Sequence, residues 1–429
     1  MQLFGAGTCA RYGRPAKVAG TAIAVAAAAA AAGCSAGSSG PASQVKAAAA
    51  AAQASVTILP SAGGRAVQPG GGVTVRADHG RLGAVTVTTS QGHLLAGVLA
   101  DNGTVWKSNW ALQPSARYTV RATATGANGQ RVTATSTFRT LSPKRTVQVT
   151  LLEANHQKYG VGMPISLTFN HAVTNRKAVE RSLSITTSRP VMGAWYWDTN
   201  TWAGTTTVSF RPKSYWQPGT KVSFTGHLAG VEIAKGVYAT HNLHASFSIG
   251  PSLIVKASTV THYMDVYYKG RLFGHWPIST GRPGDDTPNG HYLTIEKANP
   301  TYMTGPGYAL WVPWAVRFTW SGVYIHDAYW SVWAQGSVNV SHGCVNTSPA
   351  HAETYYKMEL PGDPVIVTGS PRAGTWDNGW TEWFLSWRNY LRGSALHAAV
   401  VAGPTGSTFV DASTVVPPAM VGPRGHGLA

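Results

Sequence analysis

The chain has 429 residues, with 34 lysines and arginines, 17 aspartates and glutamates, and three cysteines. This length exceeds that of one ordinary domain, so we expect several domains with separate hydrophobic cores. A hydrophobic fraction of 44% excludes wholesale disorder, and three cysteines are too few for a disulfide framework. The formal net charge of +17 predicts an anionic partner such as nucleic acid, a membrane surface or an acidic polymer.

The N-terminal segment is typical of an export signal. Residues 1–17 contain three basic side chains and no acid, and residues 18–32 form an uncharged, alanine-rich run too short to span a bilayer. Ala31-Ala32-Gly33-Cys34 resembles a bacterial lipobox, which implies a lipoprotein signal peptide over 1–34 and acylation of Cys34. The alternative is an uncleaved or differently cleaved signal in which Cys34 has no role. We expect residues 35–54 to be a flexible linker and the rest to lie outside the cytoplasm.

Two stretches of short, Val- and Thr-rich alternating runs follow the linker. Residues 55–143 and 144–250 each contain several such runs separated by Gly, Asn and Pro, and each ends on an aromatic strand, Ser136-Thr137-Phe138 and Ser246-Phe247-Ser248. This pattern predicts antiparallel β-sandwiches. We therefore expect two tandem immunoglobulin-like domains without the cysteine pair of antibody domains.

The third region, residues 251–372, has a different sequence pattern. It contains longer predicted strands rich in aromatic residues and a stretch of helical composition from Ala350 to Met358. After it, Trp380, Trp383 and Trp387 have the spacing of one helical face. We expect residues 373–394 to be a Trp-rich helical extension that packs on the third domain, and residues 395–429 to be a disordered tail. The predicted fold class is mainly β: two Ig-like sandwiches, then a β-rich domain with a short helix.

The third cysteine lies in a chemically distinctive context. Cys344 follows His342 and Gly343 directly, and His326 precedes it by 18 residues. An imidazole close to a thiol can take its proton and so activate a sulfur nucleophile. A glycine beside the cysteine allows the backbone to turn and to present amide groups to a developing oxyanion. On these residues alone, a buried and inert cysteine is the preferred interpretation, because single cysteines are common.

A family resemblance favours the nucleophile. The segment Ser341-His342-Gly343-Cys344-Val345-Asn346, with His326 upstream, resembles the catalytic domain of L,D-transpeptidases of the YkuD type. The resemblance covers about 120 residues, Leu253 to Arg372. It extends through Ser279-Thr280-Gly281, Thr287-Pro288-Asn289-Gly290, Tyr308, Gly322 to His326, and Ser331 to Asn346.

The resemblance implies a role for each matching residue. Cys344 would be the nucleophile, His326 its proton partner, and the backbone carbonyl of Ser341 the group that orients the His326 ring. His342 and Gly343 would shape the nucleophile turn. The amides of Gly343 and Cys344, with the Tyr308 hydroxyl, would be the oxyanion donors. Trp330 and Trp333 would line the acyl pocket or else pack in the core, and Asn346 stands where many relatives have Arg.

The implied activity is peptidoglycan crosslinking. Cys344 would attack the third residue of a tetrapeptide stem, release D-alanine, and pass the acyl group to the amine of a neighbouring third residue. The implied partners are donor and acceptor stem peptides, carbapenem-type β-lactams as inhibitors, and the outer face of the cell membrane, where the lipid-anchored protein would face the cell wall. The alternatives are an L,D-carboxypeptidase or other thiol hydrolase, and a non-catalytic wall-binding lipoprotein.

Other constellations do not point to further chemistry. His241 and His244 lack cysteine or carboxylate neighbours, and Asp285-Asp286 lacks the alternating oxygen ligands of a calcium loop, so we expect no metal and no cofactor. The positive charge is concentrated in residues 34–250, which contain 20 basic and 6 acidic side chains. An exported chain without a base-reading motif is unsuited to nucleic acid, so this charge indicates anionic lipid headgroups or wall polymers.

Overall fold

The computed structural model describes residues 53–198 and 204–415. The predicted signal peptide, Cys34 and most of the linker lie outside the described residues, as does the end of the chain from residue 416. Within the described part, no helix is both long enough and apolar enough to cross a membrane.

The first domain is a β-sandwich. One sheet has the order β1-β3-β6-β5 and the other β2-β8-β7-β4. The strands are β1 Ser55–Leu59, β2 Arg65–Val67, β3 Thr74–Asp78, β4 Gly80–Thr89, β5 Gly97–Ala100, β6 Val105–Ser108, β7 Arg117–Gly126 and β8 Arg131–Thr140, with 3-10 turns at Pro69–Gly71 and Asp101–Gly103. Alternate residues of β7, such as Tyr118 and Val120, are buried between the sheets. This alternation is what places polar side chains on the outer face.

The second domain is a larger sandwich with its own core. Its strands are β9 Arg145–Val147, β10 Val149–Leu151, β11 Lys158–Tyr159, β12 Ile165–Phe169, β13 Leu183–Thr187, β14 Val191–Asp198, β15 Thr206–Pro212, β16 Lys221–Gly226, β17 Glu232–Ala234, β18 Val237–Ala239 and β19 Leu243–Ile249, and its helix is α1 Arg176–Arg181. Trp195, Phe210 and Phe224 pack at its centre. It meets the first domain through a stacked pair, Trp110 and His227, whose ring centroids lie 3.7 Å apart.

The third domain contains the sequence motifs of the predicted active site. Its strands are β20 Leu253–Ser258, β21 Tyr263–Tyr268, β22 Arg271–Pro277, β23 Gly290–Leu293, β24 Glu296–Ala298, β25 Thr301–Gly305, β26 Tyr308–Val312, β27 Ala315–Arg317, β28 Tyr324–Asp327, β29 Val345–Thr347 and β30 Pro364–Thr368, and its helix is α2 Pro349–Met358. The sheets have the orders β22-β21-β20-β30-β23 and β24-β27-β28-β29, and β25 pairs with β26 as a separate hairpin. The mainly-β prediction is confirmed.

The C-terminal segment corrects two predictions. The three tryptophans do not share one helix: Trp380 precedes a 3-10 turn, Glu382–Phe384, which contains Trp383, and Trp387 begins the short helix α3 Trp387–Leu391. The expected disordered tail contains a hairpin and a last helical turn. These elements are β31 Ala398–Gly403, β32 Gly406–Asp411 and α4 Ala412–Val415. β31 pairs with β14, so the hairpin extends a sheet of the second domain.

The segment packs between the second and third domains rather than on the third alone. The Trp383 indole N–H donates to the carbonyl of Gly162, and the fully buried Arg211 guanidinium lies 4.4 Å from the rings of Trp383 and Tyr390. Burial lowers the pKa of Arg211. The aromatic rings of the C-terminal segment thus hold a cation of the second domain. On the other side, Phe384 packs on Tyr292 of the third domain with ring centroids 5.0 Å apart, so the segment joins the two domains.

Candidate active site

Two parallel strands bring the predicted catalytic residues together. β28 and β29 pair in parallel, with His326 opposite Asn346, and Cys344 lies directly before β29. Helix α2 follows β29, and Ser348 caps its N-terminus through a hydroxyl that accepts the His351 amide. Cys344 therefore lies two residues before the register partner of His326 and lines the same cavity, although 18 residues separate the two in sequence.

His326 is a buried imidazole that a backbone carbonyl holds in one orientation. Its ring is only 4% exposed, and Nδ1 lies 2.7 Å from the carbonyl oxygen of Asp327. A carbonyl oxygen only accepts, so Nδ1 carries the proton and Nε2 has the free lone pair. Burial lowers the pKa of His326 to about 4, against the opposing effect of that carbonyl. Near neutral pH the imidazole is uncharged and able to accept a proton.

The carbonyl that orients His326 differs from the expected one. We predicted Ser341, but the Ser341 carbonyl accepts the amide of Arg282 over 2.9 Å. The Ser341 side chain instead organises the nucleophile turn, since its hydroxyl donates to the Cys344 carbonyl over 2.6 Å and accepts the Gly343 amide over 3.1 Å. Ser341 is thus a structural member of the turn, and Asp327 supplies the orienting carbonyl.

The Cys344 thiol is half-buried against a neighbouring turn. Its sulfur lies 3.8 Å from the carbonyl oxygen of Gly322. Arg317 holds this turn by donating to the carbonyls of Thr319 and Trp320. Burial raises the pKa of the Cys344 thiol to about 11, and the backbone N–H of Tyr324 opposes that effect. In the resting site the cysteine is therefore a thiol and not a thiolate.

The nucleophile turn is held from behind by the two upstream motifs. Ser279 pairs with Asn346, and Gly281 pairs with Ser341, as isolated β-bridges. The Thr287 hydroxyl donates to the Gly343 carbonyl over 2.6 Å and accepts the Gly281 amide over 2.9 Å. These contacts explain why Ser-Thr-Gly and Thr-Pro-Asn-Gly accompany the cysteine motif in the sequence.

The predicted oxyanion donors are only partly available. The Gly343 amide is engaged by the Ser341 hydroxyl, so it is not free in this structure. Within the described residues, the Cys344 amide has no hydrogen-bond partner. Tyr308 packs near the cysteine, where burial, and after it the charges of Cys344 and Asp285, raise the pKa of its hydroxyl. The phenol thus stays protonated and able to donate.

A mostly apolar cavity of about 320 Å³ opens onto the thiol. Its walls combine the catalytic residues with side chains from the β25–β26 hairpin and from the 3-10 turn Tyr329–Ala334. The cavity is lined by Met303, Tyr308, Leu310, Val312, His326, Trp330, Ser331, Trp333, Val340, Ser341, His342, Cys344 and Asn346. All the predicted site residues of the third domain are on this wall except Gly343, which is buried behind it.

The structure places the remaining predicted residues around the mouth and floor of the cavity. The Trp330 ring stacks near His326 with centroids 6.0 Å apart, whereas Trp333 is 73% exposed at the rim. His342 is exposed and packs on the Tyr308 ring at 4.7 Å. Asn346 is buried and donates its amide hydrogen to the Ser331 hydroxyl over 2.8 Å. Asn346 is therefore a neutral hydrogen-bonding group in the floor.

Sequence reasoning missed the hairpin residues of the wall. Met303, Leu310 and Val312 project from β25 and β26, which are joined through Pro306-Gly307. Alternating runs on both sides of a Pro-Gly pair are a hairpin signal, so the hairpin could have been predicted. Its position above Cys344 could not, because β25–β26 pairs with no other strand of the described chain.

The candidate metal ligands have other partners. His244 hydrogen-bonds with Thr225 and Ser246, His241 with Thr240, and Asp285 forms an ion pair with Arg282 at 2.8 Å. Over residues 53–198 and 204–415, no group of three His, Cys, Asp or Glu side chains has the arrangement of a metal site.

Comparison with known proteins identifies the family. Residues 252–367 match the model of the L,D-transpeptidase catalytic domain, and residues 64–232 match that of a bacterial Ig domain. L,D-transpeptidase 2 of Mycobacterium tuberculosis is 34% identical over 329 residues, which cover 72% of this chain and 79% of that protein. The chain belongs to the L,D-transpeptidase family.

The chain is also similar to two further L,D-transpeptidases. L,D-transpeptidase 5 of Mycobacterium tuberculosis is 32% identical over 349 residues, covering 80% of this chain and 77% of that protein. A solved L,D-transpeptidase in complex with imipenem is 35% identical to this chain, and the two superpose with a TM-score of 0.43. The match covers 53% of this chain and 100% of the solved chain. As an L,D-transpeptidase this chain is an acyltransferase, and the recognition made from the cysteine motif is confirmed.

Proposed function

We propose that this L,D-transpeptidase crosslinks peptidoglycan stem peptides through a thioester on Cys344. The observation that carries the proposal is that Cys344 and the neutral, oriented His326 line the same apolar cavity. A thiol and an uncharged imidazole in contact with one cavity are the pair required for nucleophilic acyl transfer. The family membership fixes the class of reaction, and the residues supply its steps.

In the first step the Cys344 sulfur attacks the carbonyl carbon of the third stem residue. Because the thiol has a raised pKa, its proton moves to His326 Nε2 as the sulfur–carbon bond forms. The Tyr308 hydroxyl and the Cys344 amide are the donors we assign to the resulting oxyanion. The carbon–nitrogen bond to D-alanine then breaks, His326 returns the proton to the leaving amine, and the thioester remains.

In the second step the side-chain amine of a third residue on another stem attacks the thioester. His326 takes a proton from that amine and returns it to sulfur as the carbon–sulfur bond breaks. Transfer from a thioester to an amine is favourable, so the reaction needs no nucleotide outside the cell. The apolar wall of Met303, Leu310 and Trp330 limits water at the thioester, which favours the amine over hydrolysis.

We further propose that Cys34 carries lipid, so that the enzyme is anchored at the outer face of the cell membrane and faces the cell wall. Support comes from the sequence Ala31-Ala32-Gly33-Cys34 after a basic start and an alanine-rich run. Exchange of Cys34→Ser should make the protein extractable from membranes of the producing cell by a high-salt wash, which removes proteins held by charge alone. Retention of this variant through that wash would show that the segment acts as an uncleaved anchor.

The decisive experiment is mass spectrometry of purified tetrapeptide stems incubated with the enzyme. A crosslinked dimer that has lost one D-alanine supports transpeptidation, whereas a tripeptide monomer would assign the carboxypeptidase activity instead. Cys344→Ala should abolish both products and also the covalent adduct with a carbapenem, which we propose acylates the same sulfur. Unchanged carbapenem labelling of Cys344→Ala would refute the nucleophile assignment.

A further inference from the structure

The outer face of one sheet in the first domain carries an unusual concentration of arginine. In β7 and β8 the residues that alternate with the buried ones are arginine or threonine at every position. We call this surface the arginine face. Its six exposed arginines are Arg65, Arg81, Arg117, Arg121, Arg131 and Arg139.

Strand register groups these arginines into rows. Arg117 lies directly opposite Arg139, and Arg65 is the register partner of Arg139 on the other side, so three guanidinium groups cross β7, β8 and β2 side by side. At the other end, Thr125 has Arg131 on one side and Arg81 on the other. Like charges placed directly opposite each other on a sheet destabilise it. Such rows indicate a surface organised for an external anion.

No acidic side chain of the domain compensates this charge. The two acids in residues 53–143 are Asp78 and Asp101, on β3 and on the turn after β5, both at the other sheet. Within the described residues, none of the six guanidinium groups forms an ion pair, and none donates a hydrogen bond to protein. All six remain available to phosphate oxygens, which arginine binds in a bidentate manner.

We propose that the arginine face binds the anionic phospholipid headgroups of a membrane. The face is the outer surface of a four-stranded sheet and runs about 27 Å along β8, which suits a planar partner. Three of the four large exposed apolar side chains of this domain, Leu59, Val98 and Leu99, lie on the other sheet. The fourth, Leu94, forms a bridge with Thr88 at the β4 edge of the arginine face. The contact is therefore mainly electrostatic, with one exposed apolar side chain at its edge.

The path of the chain favours a lipid surface over a wall polymer. Fifty-two residues precede the described domain, and the chain enters the domain at Ala54. Ala54 packs closely against Gly80: a Cβ built on Gly80 would lie only 2.9 Å from the Ala54 Cβ. Gly80 is the residue before Arg81, so the N-terminal segment meets the domain at the Arg81–Arg131 end of the face. The proposed anchor at Cys34 would bring this end to the membrane first, but the face contributes its own affinity.

The test is vesicle sedimentation of the full-length chain with Cys34→Ser, which carries no lipid. We expect salt-sensitive binding to vesicles that contain phosphatidylglycerol and little binding to phosphatidylcholine alone. Arg117→Gln/Arg121→Gln/Arg139→Gln should lower the partition coefficient about 100-fold, since each arginine near an anionic leaflet contributes about a fivefold gain. Arg81→Gln/Arg131→Gln, at the other end of the face, should lower it about 25-fold.

The matched control removes the same charge from basic side chains off the face, as Arg76→Gln/Lys107→Gln/Lys144→Gln. Because these groups are held away from the bilayer and screened by salt, we expect a loss of less than about fivefold. Equal losses in both triple variants would overturn the proposal, since net charge alone would then explain binding. Equal binding to both vesicle types would also overturn the proposal. The same holds if the protein prefers soluble polyphosphate over vesicles at equal phosphate concentration. Thermal unfolding of each variant excludes misfolding as the cause.

Discussion

The Thr287 hydroxyl donates a hydrogen bond of 2.6 Å to the carbonyl oxygen of Gly343, the residue before the proposed nucleophile Cys344. The hydroxyl oxygen of Thr287 also accepts a hydrogen bond from the Gly281 amide over 2.9 Å. One buried hydroxyl thus joins three segments, the Ser-Thr-Gly motif, the Thr-Pro-Asn-Gly motif and the cysteine turn. Because the peptide unit of Gly343 is bonded directly to Cys344, these two hydrogen bonds help to fix the position of the Cys344 sulfur.

Replacing Thr287 by Val should therefore impair acylation more than folding. The variant keeps the shape of the side chain but leaves the Gly343 carbonyl and the Gly281 amide without their partner, at a cost of about 2 kcal/mol in unfolding free energy. We expect acylation by a carbapenem to slow at least about tenfold as the turn loosens. Thr287→Ser retains the hydroxyl and is the control. Similar rates in Thr287→Val and wild type would show that the hydrogen bond does not position Cys344.

Gly343 adopts a positive φ of 117°, which side chains disfavour. A Cβ there would meet only the Asp285 carbonyl at 3.5 Å, so Gly343→Ala has backbone strain of about 1–2 kcal/mol and no clash. Relief of this strain should move the turn and reduce acylation sharply. The control is Gly284→Ala, at φ 92° with open space around its Cβ. It should lose similar stability in thermal unfolding but retain activity; equal activity losses would contradict the assigned role of the turn.

The pH dependence of acylation should identify the attacking species. His326 has a pKa near 4 and Cys344 a pKa near 11, so both stay neutral between these values. The wild-type acylation rate should be flat from about pH 5.5 to about pH 9 and fall below this range as His326 gains a proton and can no longer act as base.

The matched variant for this experiment is His326→Ala, which leaves only free thiolate as the nucleophile. Its slower acylation should rise about tenfold per pH unit as the thiolate fraction grows. Loss of carbapenem absorbance reports both rates. A wild-type rate that climbs in the same way through neutral pH would show that thiolate attacks without the base.

The C-terminal hairpin should be required for the stability of the second domain. The buried Glu180 carboxylate accepts the Ser394 hydroxyl and the amides of Ala395 and Leu396, as well as the Trp197 indole N–H. Truncation after Gly393 removes the first three donors and exposes the β14 edge that β31 covers. We expect a loss of about 3–6 kcal/mol in unfolding free energy. Truncation after Val415 is the control; equal melting temperatures for the two would refute this role.

The C-terminal segment also shows where sequence patterns were insufficient. The spacing of Trp380, Trp383 and Trp387 is helical, but Trp383 instead packs across the gap between two domains, on Tyr215 and Arg211. Local periodicity describes one face of one element, whereas these rings contact different partners. Likewise, the Gly-, Pro- and Ala-rich composition of residues 395–429 predicted disorder, yet residues 398–411 form a hairpin, because the edge strand β14 supplies hydrogen bonds to β31.

The sequence by itself determined the mainly-β architecture and the family, and it supplied the proposal that Cys344 is the nucleophile and His326 its base. Residue identity and short spacing carry this information, because a thiol, an imidazole and a glycine turn have few uses together. Only the tertiary structure decided that the Asp327 carbonyl and not that of Ser341 orients the base, that a hairpin forms the cavity wall, and that six arginines share one face. These depend on backbone direction and strand register between distant segments, which the order of residues along one segment does not specify.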